Sequence, residues 1–244
     1  MRINYQRLFD MGSEHAGAFR TASPFPSVCL DGLFEPSEYE VIASCFPDPT
    51  SDVWKKPENI HTKGKYVTRR GDDDLKELLF DDAARQVLAE LNSGPFLRFL
   101  ELLTGIKGLI GDPYLAEGGF HCSEDGGYLD IHADFSHHDA LGLERRLNLI
   151  IYLNEGWLPE YGGALSLYDL DLNPVASFLP VANRAAIFET SDTSYHGHPE
   201  PMKLPAGVYR RSIALYYYSL PTGREKSRIV FPKDRAFSHQ TTEA

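Results

Sequence analysis

The sequence predicts an α+β fold in which helices come first and a two-layered β-structure follows. Apolar residues recur at helical spacing in the first half of the chain. After residue 108, short β-type runs alternate with Gly, Pro and Asp turns. At least six such runs at this spacing indicate a sandwich or a double-sheet jelly roll. Helices followed by strands favour the α+β class over a parallel α/β fold.

Three helices are predicted in the first half, over residues 36–46, 75–92 and 95–104. The first carries Val41, Ile42 and Phe46 on one face and ends at Pro47. Gly94 and Pro95 separate the other two. The stretch 50–71 is polar and is predicted to be irregular. Residues 1–108 are therefore expected to form a mainly helical support.

The predicted strands begin after this support. They cover residues 109–113, 127–133, 147–153, 164–168, 175–179, 185–188 and 210–219. The 244 residues suit one large domain. We predict a single domain, 1–244, with a jelly-roll core over 109–220 and a C-terminal tail over 221–244.

Composition excludes several classes of protein. The chain has 24 Lys and Arg against 35 Asp and Glu, a net charge of −11. This acidity argues against nucleic acid or an anionic membrane as the main partner. No apolar run reaches the length of a membrane-spanning helix, about 18 residues, and the N-terminus lacks a signal-peptide pattern. Cys29, Cys45 and Cys122 fit reduced thiols, so a cytoplasmic location is expected.

The histidines are the candidate metal ligands. In a strand, a His-x-Asp motif places both side chains on one face. His132 and Asp134 close a predicted strand, whereas His137 and Asp139 lie in a polar stretch that is better interpreted as a loop. For His132 and Asp134, the alternative interpretation is a hydrogen-bonded polar pair without a metal.

A site with two histidines and one carboxylate needs a third ligand. Such a site leaves three positions of Fe(II) open for a bidentate acid and O₂. His196, 64 residues after His132, is the candidate third ligand. His198 on the same segment and the more distant His121 are the alternatives.

The start of the last strand carries a candidate carboxylate clamp. The Arg guanidinium forms a planar fork that binds a carboxylate through two hydrogen bonds. Arg210 and Ser212 share one face of this strand, and Arg211 points to the other. A register slip of one residue would make Arg211 the clamp instead. An exposed Arg pair at a strand start is the simpler alternative.

Five motifs in order give the sequence a family resemblance. They are His132-Ala133-Asp134-Phe135, the run 145–154 followed by Trp157, the Gly-Gly-Ala-Leu-Ser-Leu run 162–167, His196-Gly197 and Arg210-Arg211-Ser212. Together they resemble the Fe(II)/2-oxoglutarate-dependent dioxygenases, in particular the prolyl-4-hydroxylase-like branch. The resemblance covers about residues 109–220 and implies a double-stranded β-helix, a jelly roll with supporting helices.

The resemblance also implies roles for individual residues. Fe(II) would be bound by His132, Asp134 and His196, which form the catalytic centre. The distal carboxylate of 2-oxoglutarate would be held by Arg210, Ser212 and Tyr152, with Asn148 on the same strand face as Tyr152. For Tyr152 and Asn148, the alternative is a buried polar role in the core. The implied cofactors are Fe(II), 2-oxoglutarate and O₂, with ascorbate as a reductant.

The implied reaction is hydroxylation of an unactivated C–H bond, with succinate and CO₂ as co-products. Related halogenases lack the carboxylate ligand, so Asp134 favours hydroxylation. The substrate is expected to be a peptidyl proline, an amino acid or another small molecule. A jelly-roll metal protein without oxygenase chemistry, such as a cupin-type isomerase or a sensor, is the alternative function. An interaction module with incidental His and Asp residues is a third.

Two stretches are predicted to be loops beside the site, 59–70 and 121–126. Residues 55–70 form the most basic stretch of the chain, with six Lys and Arg residues. This charge favours an anionic substrate, whereas solvated loops are the simpler interpretation.

Overall fold

The computed structural model describes residues 3–56, 61–68 and 80–232, and four α-helices lie in the described part of its first half. They are α1 (Tyr5–Thr21), α2 (Pro36–Ser44), α3 (Asp82–Leu91) and α4 (Gly94–Thr104). Side-chain oxygens of Asn4, Asp81 and Ser93 cap the first turns of α1, α3 and α4. The predictions of α2 and α4 are confirmed. That of α3 is confirmed from residue 82, and residues 75–79 lie outside the described ranges.

The sequence analysis did not predict α1. Its buried stripe is Leu8, Gly12, Ala16 and Phe19, at helical spacing. Two of these four positions carry small side chains, so the apolar periodicity is weak although the face is buried. Gly12 lets α4 approach closely, because a Cβ there would lie 3.1 Å from the Phe99 ring.

Ten strands in the described part form one antiparallel sheet that folds into two layers. They are β1 (Ser27–Leu30), β2 (Trp54–Lys55), β3 (Thr62–Thr68), β4 (Gly119–His132), β5 (Glu144–Tyr152), β6 (Leu165–Tyr168), β7 (Pro174–Phe178), β8 (Ala185–Glu189), β9 (His196–His198) and β10 (Arg210–Ser219). The order is β1-β8-β5-β10-β4-β9-β6-β7, and β3 joins β2 to β4. This antiparallel, nearly closed sheet confirms the predicted jelly roll.

The long strand β4 links the two layers. Its first half pairs with β10, its second half pairs with β9, and β3 pairs with residues of both halves. The pairing with β9 places the end of β4 inside the fold. The predicted His132 motif therefore lies at the junction of the two layers.

Three local predictions were wrong. The stretch 50–71 is not wholly irregular, because its described part contains β2 and β3. The predicted loop 121–126 lies within β4, and residues 109–113 contribute only a single bridge, Ile110 to Tyr218. β3 and the first half of β4 are polar strands that pair with each other, so they lack the apolar alternation that reveals a strand in sequence.

Strand alternation separates the core from the pocket. On β10, Ile213, Leu215 and Tyr217 pack into the core, and on β5 Leu147, Leu149 and Ile151 do the same. The helices cover this face through Phe96 and Phe99 among others. The opposite face of β10 carries Arg210, Ser212, Ala214 and Tyr216, which line a pocket.

The expectation about membranes has a structural counterpart. None of the helices in the described ranges has both the length and the apolar character needed to cross a membrane.

The three cysteines, Cys29, Cys45 and Cys122, are free thiols. Burial raises the pKa of the Cys29 thiol to about 11 and that of Cys122 to about 12.

Candidate active site

A pocket of about 400 Å³ lies against the polar faces of β3, β4, β5, β9 and β10. Ile229 and Phe231 of the C-terminal segment also line it. Backbone hydrogen bonds between Ala133 and Val230 hold this segment beside the end of β4. Of the predicted site residues, the pocket lining contains His132, Asp134, His196, Arg210, Ser212 and Asn148.

The three predicted metal ligands come together at one point of the pocket. The register of β4 and β9 sets His132 opposite His196, and Asp134 follows two residues later. One ligand atom from each residue lies within 4.8 Å of the other two, and all three side chains are buried. Two imidazoles and a carboxylate in this arrangement suit a divalent metal with open positions.

Backbone carbonyls orient both imidazoles. The His132 Nδ1 lies 2.8 Å from the Asp130 carbonyl oxygen, and the His196 Nδ1 lies 2.9 Å from that of Ser194. Each Nδ1–H donates to its carbonyl, so each Nε2 keeps its lone pair for a metal. The His132 Nε2 lies 3.6 Å from the Asp134 Oδ1, and the His196 Nε2 lies 3.4 Å from the Asp134 Oδ2. Both nitrogens therefore face the carboxylate.

Asp134 is held by two residues of β5. The Arg145 Nη2 donates to the Asp134 Oδ2 at 3.0 Å, and the Asn148 Nδ2 donates to the same oxygen at 2.7 Å. The Arg145 guanidinium also donates to the Asn148 Oδ1 at 2.6 Å. These bonds occupy Oδ2, so Oδ1 is the oxygen that can bind a metal.

Arg145 was not among the predicted site residues. Its side chain is fully buried, with its guanidinium 3.5 Å from the centre of the Tyr216 ring and 4.4 Å from that of Phe135. A signal was present in the sequence, because Arg145 lies two residues before the predicted apolar strand 147–153 and a charged residue buried there needs a partner. The sequence did not show that this partner is Asp134.

The charges of the three ligands suit a bound cation. Burial favours a raised pKa for Asp134, but Arg145 and the two histidines outweigh it, and the pKa lies well below its usual value. Burial and the neighbouring His132 lower the pKa of His196 to about 4. Near neutral pH the site thus offers one carboxylate and a neutral His196 imidazole.

The predicted clamp faces the same pocket. The Arg210 guanidinium is buried, and its Nε donates to the Gly163 carbonyl oxygen at 2.8 Å. Within the described ranges, no carboxylate lies within 4.0 Å of it. Arg211 points to the other face of the strand, towards the Phe46 ring.

Tyr152 and Ser212 flank Arg210. The register of β5 and β10 makes Ser212 the partner of Tyr152, and the Arg210 guanidinium lies 5.1 Å from the centre of the Tyr152 ring. The buried Tyr152 hydroxyl has no hydrogen-bond partner among the described residues. Burial raises the pKa of Tyr152 to about 12, with Arg210 opposing the shift. An unpartnered hydroxyl beside a buried guanidinium fits a carboxylate ligand.

The alternative ligands, His121 and His198, also line the pocket but lie outside the group of His132, Asp134 and His196. His198 lines the pocket two residues after His196, but it is outside the group of mutually close ligand atoms found in the described ranges. The His121 Nε2 lies 3.0 Å from the Glu117 carbonyl oxygen. Asp139, of the second His-x-Asp motif, pairs with Lys226 at 2.5 Å on the surface.

Comparison with known proteins supports the resemblance. Residues 118–218 match the model of the 2OG-Fe(II) oxygenase superfamily. A curated relative, the mouse prolyl 3-hydroxylase OGFOD1, is 38% identical over 79 residues, which is 30% of this chain. The match spans only 14% of the length of that relative.

Solved structures share the fold. A prolyl hydroxylase from Trichoplax adhaerens, in complex with a hypoxia-inducible-factor peptide, gives a TM-score of 0.62 at 15% identity over 88% of this chain and 91% of that one. A Pseudomonas putida prolyl-4-hydroxylase gives 0.51 at 18% identity over 86% and 99%. HygX from Streptomyces hygroscopicus, with nickel, 2-oxoglutarate and hygromycin B bound, gives 0.50 at 15% identity over 88% and 89%.

The matched segment contains every predicted site residue as well as Arg145. It holds the His-Asp-His group, the strand with Asn148 and Tyr152, and the Arg210–Ser212 pair on one pocket wall. The resemblance seen in the sequence is therefore confirmed. Its residues 118–218 are similar to the 2OG-Fe(II) oxygenase superfamily.

Proposed function

We propose that this chain is an Fe(II)- and 2-oxoglutarate-dependent oxygenase that hydroxylates an unactivated C–H bond. The observation that carries the proposal is the convergence of two sites on one pocket. One is the buried group of His132, Asp134 and His196. The other is the Arg210 guanidinium, which has no carboxylate partner among the described residues and lies beside the Tyr152 ring. A metal-binding jelly roll without this cosubstrate would not need the second site.

The residues of the pocket have separate tasks. His132, Asp134 and His196 would hold Fe(II) and leave its remaining positions open, while Arg145 and Asn148 fix the carboxylate. When bound, Fe(II) and 2-oxoglutarate supply oxidation of a C–H bond by O₂, with succinate and CO₂ as co-products.

The cosubstrate 2-oxoglutarate would bind at the other wall of the pocket. Arg210 would bind the distal carboxylate of 2-oxoglutarate, with hydroxyl donors from Tyr152 and Ser212. Burial of this wall excludes water, which strengthens each charged hydrogen bond.

The substrate is proposed to be a peptidyl proline, an amino acid or another small molecule. The fold is shared with a prolyl hydroxylase that holds a peptide and with HygX, which holds hygromycin B. Ascorbate as a reductant, a cytoplasmic location and partners other than nucleic acid or membranes are part of the same proposal.

The test is the formation of the metal and cosubstrate complex. Under anaerobic conditions, Fe(II) with 2-oxoglutarate should give the wild-type protein a weak visible charge-transfer band. His132→Ala and Asp134→Ala should lose this band and the formation of succinate, because each removes a metal ligand. Asp139→Ala, from the exposed second His-x-Asp motif, is the matched control and should keep both.

Two outcomes would reject the proposal. One is the absence of the band in metal-loaded wild-type protein, which would favour the non-oxygenase metal protein. The other is unchanged succinate formation in either ligand variant, because the predicted metal ligands would then be dispensable.

A further inference from the structure

One basic side chain from the stretch 55–70 enters the pocket. Lys65, in β3, lines it together with the predicted metal ligands. The other described basic residues of this stretch do not: Lys55 and Lys63 are exposed, and Lys56 pairs with Glu124 at 2.6 Å. Among the described residues, the basic character of the stretch therefore reaches the site through Lys65.

A bulge in β4, opposite residues 63–65 of β3, sets the position of Lys65. The pairing of β3 with β4 shifts register between Lys63 and Lys65, and Gly64 between them has φ +60°. A Cβ on Gly64 would lie 2.9 Å from the Gly127 Cα, so only glycine fits there. Bulges of this kind often redirect a side chain beside an active site.

Lys65 lies in the same row of the sheet as Arg210. Ser123 of β4 is the register partner of Lys65 on one side and of Arg210 on the other. Adjacent strands lie about 4.8 Å apart, so the two cations flank Ser123 on one wall. Among described residues, no carboxylate lies within 4.0 Å of the Lys65 amine. Burial lowers the pKa of Lys65 to about 8, and Asp134 opposes the shift.

The loaded pocket would keep positive charge. The charges of Fe(II) and of 2-oxoglutarate cancel, and Asp134 is balanced by Arg145. The positive charges of Arg210 and Lys65 then remain. The exposed carboxylate of Glu117 at the pocket wall offsets one of them. The distal carboxylate of the cosubstrate needs only Arg210 with its hydroxyl neighbours. Lys65 is thus available to the molecule that is oxidised.

We infer that the oxidised substrate carries a carboxylate and that Lys65 binds it beside the metal. This inference rests on the proposed function and names the class of its substrate. Lys65 makes this pocket select acids, because a partly buried ammonium ion without a partner is costly unless an anion fills the site. A neutral analogue would leave that cost uncompensated.

The experiment compares acids with their carboxamides. Succinate formation is measured with free L-amino acids and short dicarboxylic acids, each beside its carboxamide. At least one acid is expected to stimulate succinate formation. Its carboxamide should stimulate succinate formation at least tenfold less. Lys65→Met should raise the KM for that acid at least tenfold, while the KM for 2-oxoglutarate without substrate changes less than threefold. Lys63→Met, on the same strand but exposed, is the matched control.

A binding measurement gives a second readout that does not depend on turnover. Protein loaded with Zn(II) and 2-oxoglutarate should unfold at a higher temperature when the same acid is added, because a ligand of the native state stabilises it. Lys65→Met should lose this shift, and Lys63→Met should keep it.

Three results would overturn the inference. No acid stimulates turnover above its carboxamide, or Lys65→Met leaves the KM for the acid unchanged, or the variant raises the KM for 2-oxoglutarate as much as that for the acid. The last result would assign Lys65 to the cosubstrate. Failure of the proposed function is recognised separately, because wild-type protein would then lack the charge-transfer band with Fe(II) and 2-oxoglutarate.

Discussion

Two adjacent arginines in β10 are chemically identical but face opposite sides of the sheet. Arg210 is buried in the pocket wall, and Arg211 lies near Phe46 outside it. Arg210→Ala should raise the KM for 2-oxoglutarate by ten- to a hundredfold, because a hydrogen bond to a charged group contributes about 1.5–3 kcal/mol. Initial rates of succinate formation at varied 2-oxoglutarate concentrations measure the effect.

Arg211→Ala is the internal control for this prediction. The KM of this variant for 2-oxoglutarate should stay within twofold of wild type, because the Arg211 side chain does not line the pocket. A larger effect from Arg211→Ala than from Arg210→Ala would show that Arg211, and not Arg210, binds the carboxylate of 2-oxoglutarate.

Asn148 connects the cation of Arg145 to the carboxylate of Asp134. Its amide donates to the Asp134 Oδ2 and accepts from the Arg145 guanidinium. Asn148→Ala removes both bonds, so the carboxylate loses part of its orientation. We expect metal affinity to fall about ten- to a hundredfold, as for other residues that orient a metal ligand.

Titration with Mn(II), followed by the signal of the free ion, measures this affinity. Asn173→Ala changes the same residue type in an exposed turn and should bind metal like wild type. Unchanged Mn(II) affinity in Asn148→Ala would mean that Arg145 alone orients Asp134.

At the scale of secondary structure, the short strand β9 sets the position of His196. Its central residue, Gly197, packs against β4 so closely that a Cβ would lie 2.8 Å from the Asp130 carbonyl oxygen. Gly197→Ala would push the two strands apart and should lower the free energy of unfolding by about 1–3 kcal/mol. His196 would shift with its strand, so Mn(II) affinity should fall as well.

Substitution of a second glycine serves as a control, because it should change the free energy of unfolding in the opposite direction. Gly17 lies on the exposed side of α1, where an added Cβ would meet no other atom within 4 Å. Gly17→Ala should raise the free energy of unfolding by about 0.5–1 kcal/mol through helix propensity, without altering metal affinity. Urea titrations of both variants test the pair, and destabilisation by Gly17→Ala would contradict the assignment of α1.

At the scale of the whole molecule, the helical support and the sheet share one core. Phe99 of α4 is fully buried and belongs to the cluster that contains the apolar faces of β5 and β10. Phe99→Ala should lower the free energy of unfolding by about 3–5 kcal/mol, because it leaves a cavity in that core. Leu170→Ala, 72% exposed, should change it by less than about 0.5 kcal/mol.

Urea denaturation of the two variants measures the difference. Equal stability of Phe99→Ala and wild type would mean that the helices fold independently of the sheet. The charge-transfer band should persist in Phe99→Ala wherever the variant is folded, since the site faces the other side of the sheet.

Much of this arrangement is encoded locally. The alternation of residues 210–219 predicted β10 and its two faces, and the apolar spacing and helix-ending residues predicted α2 and α4. The motif at His132 and Asp134 and its partner His196 were predicted as metal ligands from residue type, order and resemblance. These features depend on short stretches of chain, so a single sequence reveals them.

Other features depend on residues that are distant in sequence, and only the tertiary structure decided them. The partner of Arg145 is Asp134, 11 residues away, and the strand β3 exists because it pairs with β4 rather than because of its own apolar pattern. The direction of Lys65 follows from a bulge in that pairing. The sequence thus determined the fold class and the candidate ligands. Long-range strand register determined which charges meet in the pocket, because register is set by pairing across the sheet and not by the residues of one strand.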